Sequence, residues 1–85
     1  MADFLLSFEL DEKSSCLEIH GDPAGLQRLS TILSKLVAHT RDGHFDHDHL
    51  MTPAWGGNEL SEENKGGNRL NHVKIYCWKG EKFQT

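Results

Sequence analysis

The strongest constraint on the fold is a single amphipathic repeat between residues 22 and 43. Its apolar side chains recur at three- and four-residue steps, which is the spacing of one face of an α-helix. Asp22 can accept hydrogen bonds from free backbone N–H groups at a helix start, and Pro23 follows where a missing N–H costs nothing. Gly43 is a typical helix stop. The predicted apolar face consists of Leu26, Leu29, Ile32, Leu33, Leu36 and Val37.

Strand-like alternation surrounds this helix on both sides. Residues 4–10 alternate apolar and more polar side chains, and residues 16–20 do the same after a polar turn, so the two segments form a predicted hairpin. The His- and Asp-rich segment after the helix is a predicted third strand. It ends at Thr52, because Pro53 can neither donate to a sheet nor let its predecessor become helical. Residues 72–79 form the last predicted strand.

The order of these elements predicts an α+β fold with a single domain, residues 1–85. We expect a four-stranded antiparallel sheet in ββαββ order, with one amphipathic helix packed on one face. Because one helix covers only one face, the other would expose Tyr76 and Trp78 together with Leu5 and Ser7. Exposed aromatic side chains are typical of a partner-binding surface. The alternative is that the long loop after Pro53 folds back and covers this face.

Composition argues against several classes of function and location. The chain of 85 residues has a net charge of −4 and no basic stripe, which argues against nucleic acid binding. No apolar run approaches the ~20 residues that span a membrane, and the N-terminal segment lacks the basic region of a signal peptide. Cys16 and Cys77 lie in apolar segments, where we expect free, buried thiols. The expected location is a reducing cytoplasm.

The segment at residues 44–49 contains three His and two Asp. On a strand, His47 and His49 project from one face and can present two imidazoles to a metal ion, whereas Asp46 and Asp48 face the other way. Spacing fixes no third ligand. Two other interpretations are a polar edge strand and a recognition surface whose acids and imidazoles bind Arg and Lys of a partner. The chain contains no nucleotide-binding loop, serine hydrolase or zinc protease motif, so we expect neither an enzyme nor a cofactor.

Trp55 stands between a Pro and a pair of glycines. It could be a loop anchor packed into the core or an exposed binding hot spot. We favour the packing anchor, because a small core needs its large aromatic side chains. Gly56 and Gly57 would allow a tight turn directly after the ring.

The segment from Asp46 to Ser61 resembles one in the immunity protein 32 family, small immunity proteins of bacterial polymorphic toxin systems. The resemblance implies a cytoplasmic protein that binds and neutralises a cognate toxin. It implies no catalytic activity, and its motif residues either touch the toxin or hold the loop in shape. The shared elements are the run Asp46–His49 followed by Leu50, Thr52, Trp55, Gly56, Gly57, Glu59 and Leu60.

The sequence therefore predicts a non-enzymatic, cytoplasmic immunity protein that binds a cognate protein toxin and blocks it sterically. The alternatives are a small metal-binding protein that uses His47 and His49, and a weak homodimer that pairs through Tyr76 and Trp78. We expect no membrane or nucleic acid partner and no metal or catalytic residues in the site. The predicted partner-binding residues are Asp46, His47, Asp48, His49, Trp55, Glu59, Tyr76 and Trp78.

Overall fold

The structure, a computed structural model, describes residues 3–63 and 65–80. It is an α+β fold with one helix and two antiparallel sheets, of three strands (order β2-β1-β4) and two strands (β3-β5). The α+β class is confirmed, and the single four-stranded sheet is wrong. The elements are β1 Leu6–Asp11, β2 Cys16–Gly21, α1 Pro23–His39, β3 His44–Met51, a 3-10 turn at Pro53–Trp55, β4 Asn68–Arg69 and β5 His72–Lys79.

The sheet is divided because the long loop occupies the second edge of β1. The Ser61 N–H donates to the Leu6 carbonyl at 2.9 Å, and the Leu70 N–H donates to the Phe8 carbonyl at 2.8 Å. β4 then pairs with the end of β1. Since β2 holds the other edge, both edges of β1 are occupied, and β5 pairs with β3. The segment after Pro53 is polar and rich in glycine, so its sequence did not predict that it would hydrogen-bond along the edge of β1.

The helix starts as predicted and ends before Gly43. The Asp22 carboxylate accepts from the Gly25 N–H at 2.7 Å and from the Leu5 N–H at 3.1 Å, which ties the helix start to the chain entering β1. The hydrogen bond from the Gly25 N–H does most to lower the pKa of Asp22, and the bond from the Leu5 N–H lowers it further. At the other end, the Thr40 hydroxyl donates to the Leu36 carbonyl at 2.7 Å, and the helix stops at His39.

The core lies between α1 and the inner faces of the two sheets. Its buried centre is Leu6, Phe8, Leu50 and Leu60. The helix contributes an inner line of Leu29, Ile32 and Leu36. The rest of the predicted apolar face is solvent-exposed: Leu26 (47%), Leu33 (40%) and Val37 (56%).

The outer side of β1 is buried, contrary to the prediction that Ser7 would lie on an uncovered face. Ser7 and Glu9 are each 1% exposed, because the chain around residues 65–67 passes over them. The Glu9 carboxylate accepts from the Lys65 N–H at 2.7 Å, the Gly67 N–H at 2.8 Å and the Ser7 hydroxyl at 2.9 Å. Burial by itself would raise the pKa of Glu9, but these hydrogen bonds outweigh it and lower the pKa.

Both cysteines are free, as expected, but only Cys77 is partly buried, while Cys16 is exposed on β2. The expected burial of Cys16 is therefore wrong. Across the described ranges, no helix has both the length and the apolar character needed to cross a membrane.

Candidate functional site

The β3–β5 pair places six ring side chains on one outward face. The strands are antiparallel, with Phe45 opposite Trp78 and His47 opposite Tyr76. Because side chains alternate along a strand, every second residue of each strand points outward. Trp55 adds a seventh ring at one end, 6.2 Å from His72 between ring centroids. We call this surface the ring face: Phe45, His47, His49, Trp55, His72, Tyr76 and Trp78.

The aromatic half of the ring face is a stacked cluster. The rings of Phe45 and Trp78 are 4.6 Å apart and those of His47 and Tyr76 are 5.1 Å apart, both nearly parallel. Such pairs contribute about 0.5–1.5 kcal/mol beyond their burial, so they hold one another in place. Even so, Phe45 is 53% exposed, Tyr76 45% and Trp78 51%. Rigid aromatic side chains that remain half exposed form a surface suited to a second molecule.

The imidazole half is a short chain of three rings. His47 Nε2 lies 3.1 Å from His49 Nε2, and His49 Nδ1 lies 2.7 Å from His72 Nε2. Partial burial of the His49 ring lowers its pKa, and the nearby His47, His72 and Lys74 lower it further, while Asp48 acts in the opposite direction. His49 therefore favours the neutral form, in which one ring nitrogen donates and the other accepts.

Trp55 is exposed, and the prediction that it anchors the core is wrong. Its side chain is 59% accessible at the end of the 3-10 turn. The glycines after it set the course of the backbone: Gly56 has a φ of +86°, and a Cβ on Gly57 would lie 2.5 Å from the Cβ of Met51. The Gly pair thus turns the loop and packs it against β3, while the indole projects outward.

Glu59 shapes this loop. Its carboxylate accepts from the Met51 N–H at 3.0 Å, and the next residue, Leu60, is in the core. The Thr52 hydroxyl likewise donates to the Asn71 side chain at 2.7 Å. The loop motif therefore consists largely of residues that hold a bend, and Trp55 is the member that this bend displays.

Asp46 and Asp48 lie on the opposite face of β3 from the imidazoles, as their alternation predicted. They share a face with the buried Leu50, toward the end of α1, and both remain exposed. Each carboxylate accepts from the N–H of the residue after it, at 2.8 Å to His47 and 2.8 Å to His49. A partner that covers the ring face would meet these acids only at its rim.

The structure thus divides the predicted site into three parts. His47, His49, Tyr76 and Trp78 come together on the ring face with Trp55 at its end. The two acids lie behind β3, and Glu59 is in the loop. Sequence reasoning left Phe45 and His72 out of the predicted partner-binding residues. The sequence did contain a signal for both residues. Phe45 is two residues before His47 and His72 is four residues before Tyr76, so the strand period of two places each on the same face as a predicted residue.

Outside the ring face, a group of three side chains has the spacing of metal ligands. Within residues 3–63 and 65–80, the carboxylates of Glu9 and Glu18 and the imidazole of His20 lie close enough to share an ion. The Glu9 oxygens already accept from two backbone N–H groups, and His20 Nε2 lies 2.9 Å from the Glu18 carboxylate. These atoms already have partners, so the group is a structural cluster.

A comparison with models of known protein families gives a match. Residues 16–68 match the model of a family described as Immunity protein 32. The matched range runs from β2 through the loop to the start of β4 and includes the whole motif from Asp46 to Leu60. Searches of curated proteins and of solved structures found no significant match.

Proposed function

The chain belongs to the Immunity protein 32 family, and on that premise we propose that it binds a cognate protein toxin and neutralises it by covering the toxin's active cleft. This role requires no catalysis by the chain itself. The observation that best supports it is the ring face, an outward surface of stacked rings beside an exposed Trp55.

The composition of the ring face suits a protein partner. Trp and Tyr are over-represented among interface residues whose truncation costs more than about 2 kcal/mol. Tyr76 and Trp78 sit at the aromatic end of the face and have few side-chain torsions to fix on binding. Trp78 stacks on Phe45 and Tyr76 stacks on Trp78, which orders both rings before a partner arrives and reduces the entropy cost of association.

Electrostatics provides a second contribution. The net charge of −4 favours a basic partner, and Asp46 and Asp48 are exposed carboxylates on the opposite face of β3, within reach only of the rim of a partner on the ring face. Rim charges of this kind mainly accelerate association and make it sensitive to salt, whereas central rings determine the dissociation rate. We therefore assign the acids to steering and the rings to the contact itself.

The test is direct binding between the purified chain and the toxin domain encoded beside its gene, together with inhibition of that toxin at equal stoichiometry. Trp78→Ala and Tyr76→Ala should each weaken binding by about 30-fold or more. Leu17→Ala is the matched control, since Leu17 is 52% exposed on β2, away from the ring face. Circular dichroism should show all three variants folded.

Three outcomes would change the assignment. Equal effects of Leu17→Ala and the two aromatic variants would remove the ring face from the interface. A chain that binds the toxin domain without inhibiting it would contradict occlusion. Light scattering that finds a dimer disrupted by Trp78→Ala would show that the ring face binds a second copy of the chain instead.

A further inference from the structure

The imidazoles of His47 and His49 are spaced almost as two ligands of one metal ion. Two histidine nitrogens bound to a tetrahedral ion at about 2.0–2.1 Å lie roughly 3.3–3.4 Å apart. The Nε2 atoms of His47 and His49 are 3.1 Å apart, so a small rotation of exposed rings reaches that spacing. β3 holds both residues in register with β5, and the His47 ring is stacked on Tyr76. The site is thus largely pre-formed.

We propose that His47 and His49 bind one divalent transition-metal ion, of the class that prefers imidazole nitrogen, through their Nε2 atoms. Zn²⁺, Ni²⁺ and Cu²⁺ belong to this class, whereas Mg²⁺ and Ca²⁺ require oxygen ligands. Two protein ligands leave the other coordination positions open to water or to a side chain of another molecule.

His72 acts as a positioning residue. Its Nε2 lies 2.7 Å from Nδ1 of His49, the nitrogen that faces away from His47. When Nε2 of His49 holds the ion, its Nδ1–H donates to His72. Metal-bound histidines commonly use such a second hydrogen bond to fix the tautomer and the ring orientation.

The charges around the pair set its limits. Lys74 lies opposite His49 on the same face, and its positive charge opposes a cation. Its side chain is exposed, so solvent screens this repulsion. Asp46 and Asp48 point to the other side of the strand and do not complete the site.

The test is calorimetric titration of the isolated, tag-free chain with ZnCl₂, with MgCl₂ as the negative control. One Zn²⁺ should bind per chain and Mg²⁺ should not bind. His47→Ala and His49→Ala should each weaken Zn²⁺ binding by more than the 10–100-fold typical of an outer residue. His72→Ala should weaken it about tenfold, and His72→Gln, which can still accept from Nδ1–H, should restore it.

Two controls make the result decisive. His39→Ala removes an exposed histidine of α1 and should leave Zn²⁺ binding unchanged. His20→Ala removes the imidazole beside Glu9 and Glu18. The proposal is overturned if His20→Ala abolishes binding, or if His47→Ala and His49→Ala leave it intact. Imidazole NMR signals of His47 and His49 should shift on adding Zn²⁺, which reports the site even if a variant folds poorly. Because the isolated chain is used, a failure here does not bear on toxin binding.

Discussion

Replacement of Glu9 by Gln tests whether a buried carboxylate holds the two halves of the chain together. The Glu9 oxygens accept from the Lys65 N–H at 2.7 Å, the Gly67 N–H at 2.8 Å and the Ser7 hydroxyl at 2.9 Å. Gln has nearly the same shape but only one acceptor oxygen, so its amide NH₂ must face one of the two backbone N–H groups. That N–H then loses its partner whichever way the amide is turned.

The magnitude follows from these contacts. Loss of one of these part-buried hydrogen bonds to a charged group costs about 1.5–3 kcal/mol. The surviving bond also loses its charge assistance, which adds roughly 1 kcal/mol. We expect Glu9→Gln to lower the free energy of unfolding by about 3 kcal/mol, out of the roughly 5–15 kcal/mol typical of small domains. For a domain of this size, that lowers Tm by about 12–24 °C.

The assay is urea and thermal unfolding of the wild type and two variants. Glu18→Gln is the control, because Glu18 pairs with Glu9 across the β1–β2 hairpin and is exposed. It removes the same charge from the surface and should change stability by less than about 0.5 kcal/mol. A loss below about 1 kcal/mol for Glu9→Gln, or equal losses for the two variants, would refute the role given to the buried carboxylate.

Two further predictions concern acid stability and the glycine turn. Folding lowers the pKa values of Glu9 and Asp22, so the stability that these carboxylates contribute is complete above their ordinary pKa values of 4.5 and 3.8 and is lost as pH falls through the folded values. The free energy of unfolding in urea should therefore decrease from pH 7 to pH 3. The difference in this free energy between the wild type and Glu9→Gln should narrow over the same range. Gly57→Ala should lower the free energy of unfolding by about 1–3 kcal/mol, because its Cβ would lie 2.5 Å from the Cβ of Met51. Gly56→Asn should cost far less, since Asn tolerates a positive φ and the space around Gly56 is open. Equal losses of stability for the two variants in thermal unfolding would contradict this.

Local patterns predicted the individual elements well. Alternation along residues 72–79 gave β5 and its two faces, and Asp22 with Pro23 gave the helix start, because these signals depend only on neighbouring residues. The helix end was missed because Thr40 caps through its own hydroxyl and stops the helix before Gly43.

The arrangement of the sheets could not be predicted, because it depends on contacts distant in sequence. No local pattern shows that Ser61 and Leu70 hydrogen-bond to β1, or that Glu9 accepts from Lys65 and Gly67. The sequence of a polar loop does not distinguish a solvated loop from one that is hydrogen-bonded along a strand.

Part of the candidate site was predictable and part was not. The side-chain period of two placed His47 and His49 on one face of β3 and Tyr76 and Trp78 on one face of β5, and the pairing of β3 with β5 brought them together. The exposure of Trp55 depends on how the loop turns after it, which the sequence left open between two alternatives.

The bonding of the late segment to β1 also has a consequence for synthesis on the ribosome. Leu6 meets Ser61 across 55 positions of the chain, and Glu9 meets Lys65 across 56. Such high contact order slows folding, because a large ring of polypeptide must close before these bonds form. A nascent chain that has emerged only as far as α1 would leave unpaired the edge of β1 to which residues 61–70 bind in the folded protein. We therefore expect the three-stranded sheet to form only after residues 61–70 have left the ribosome.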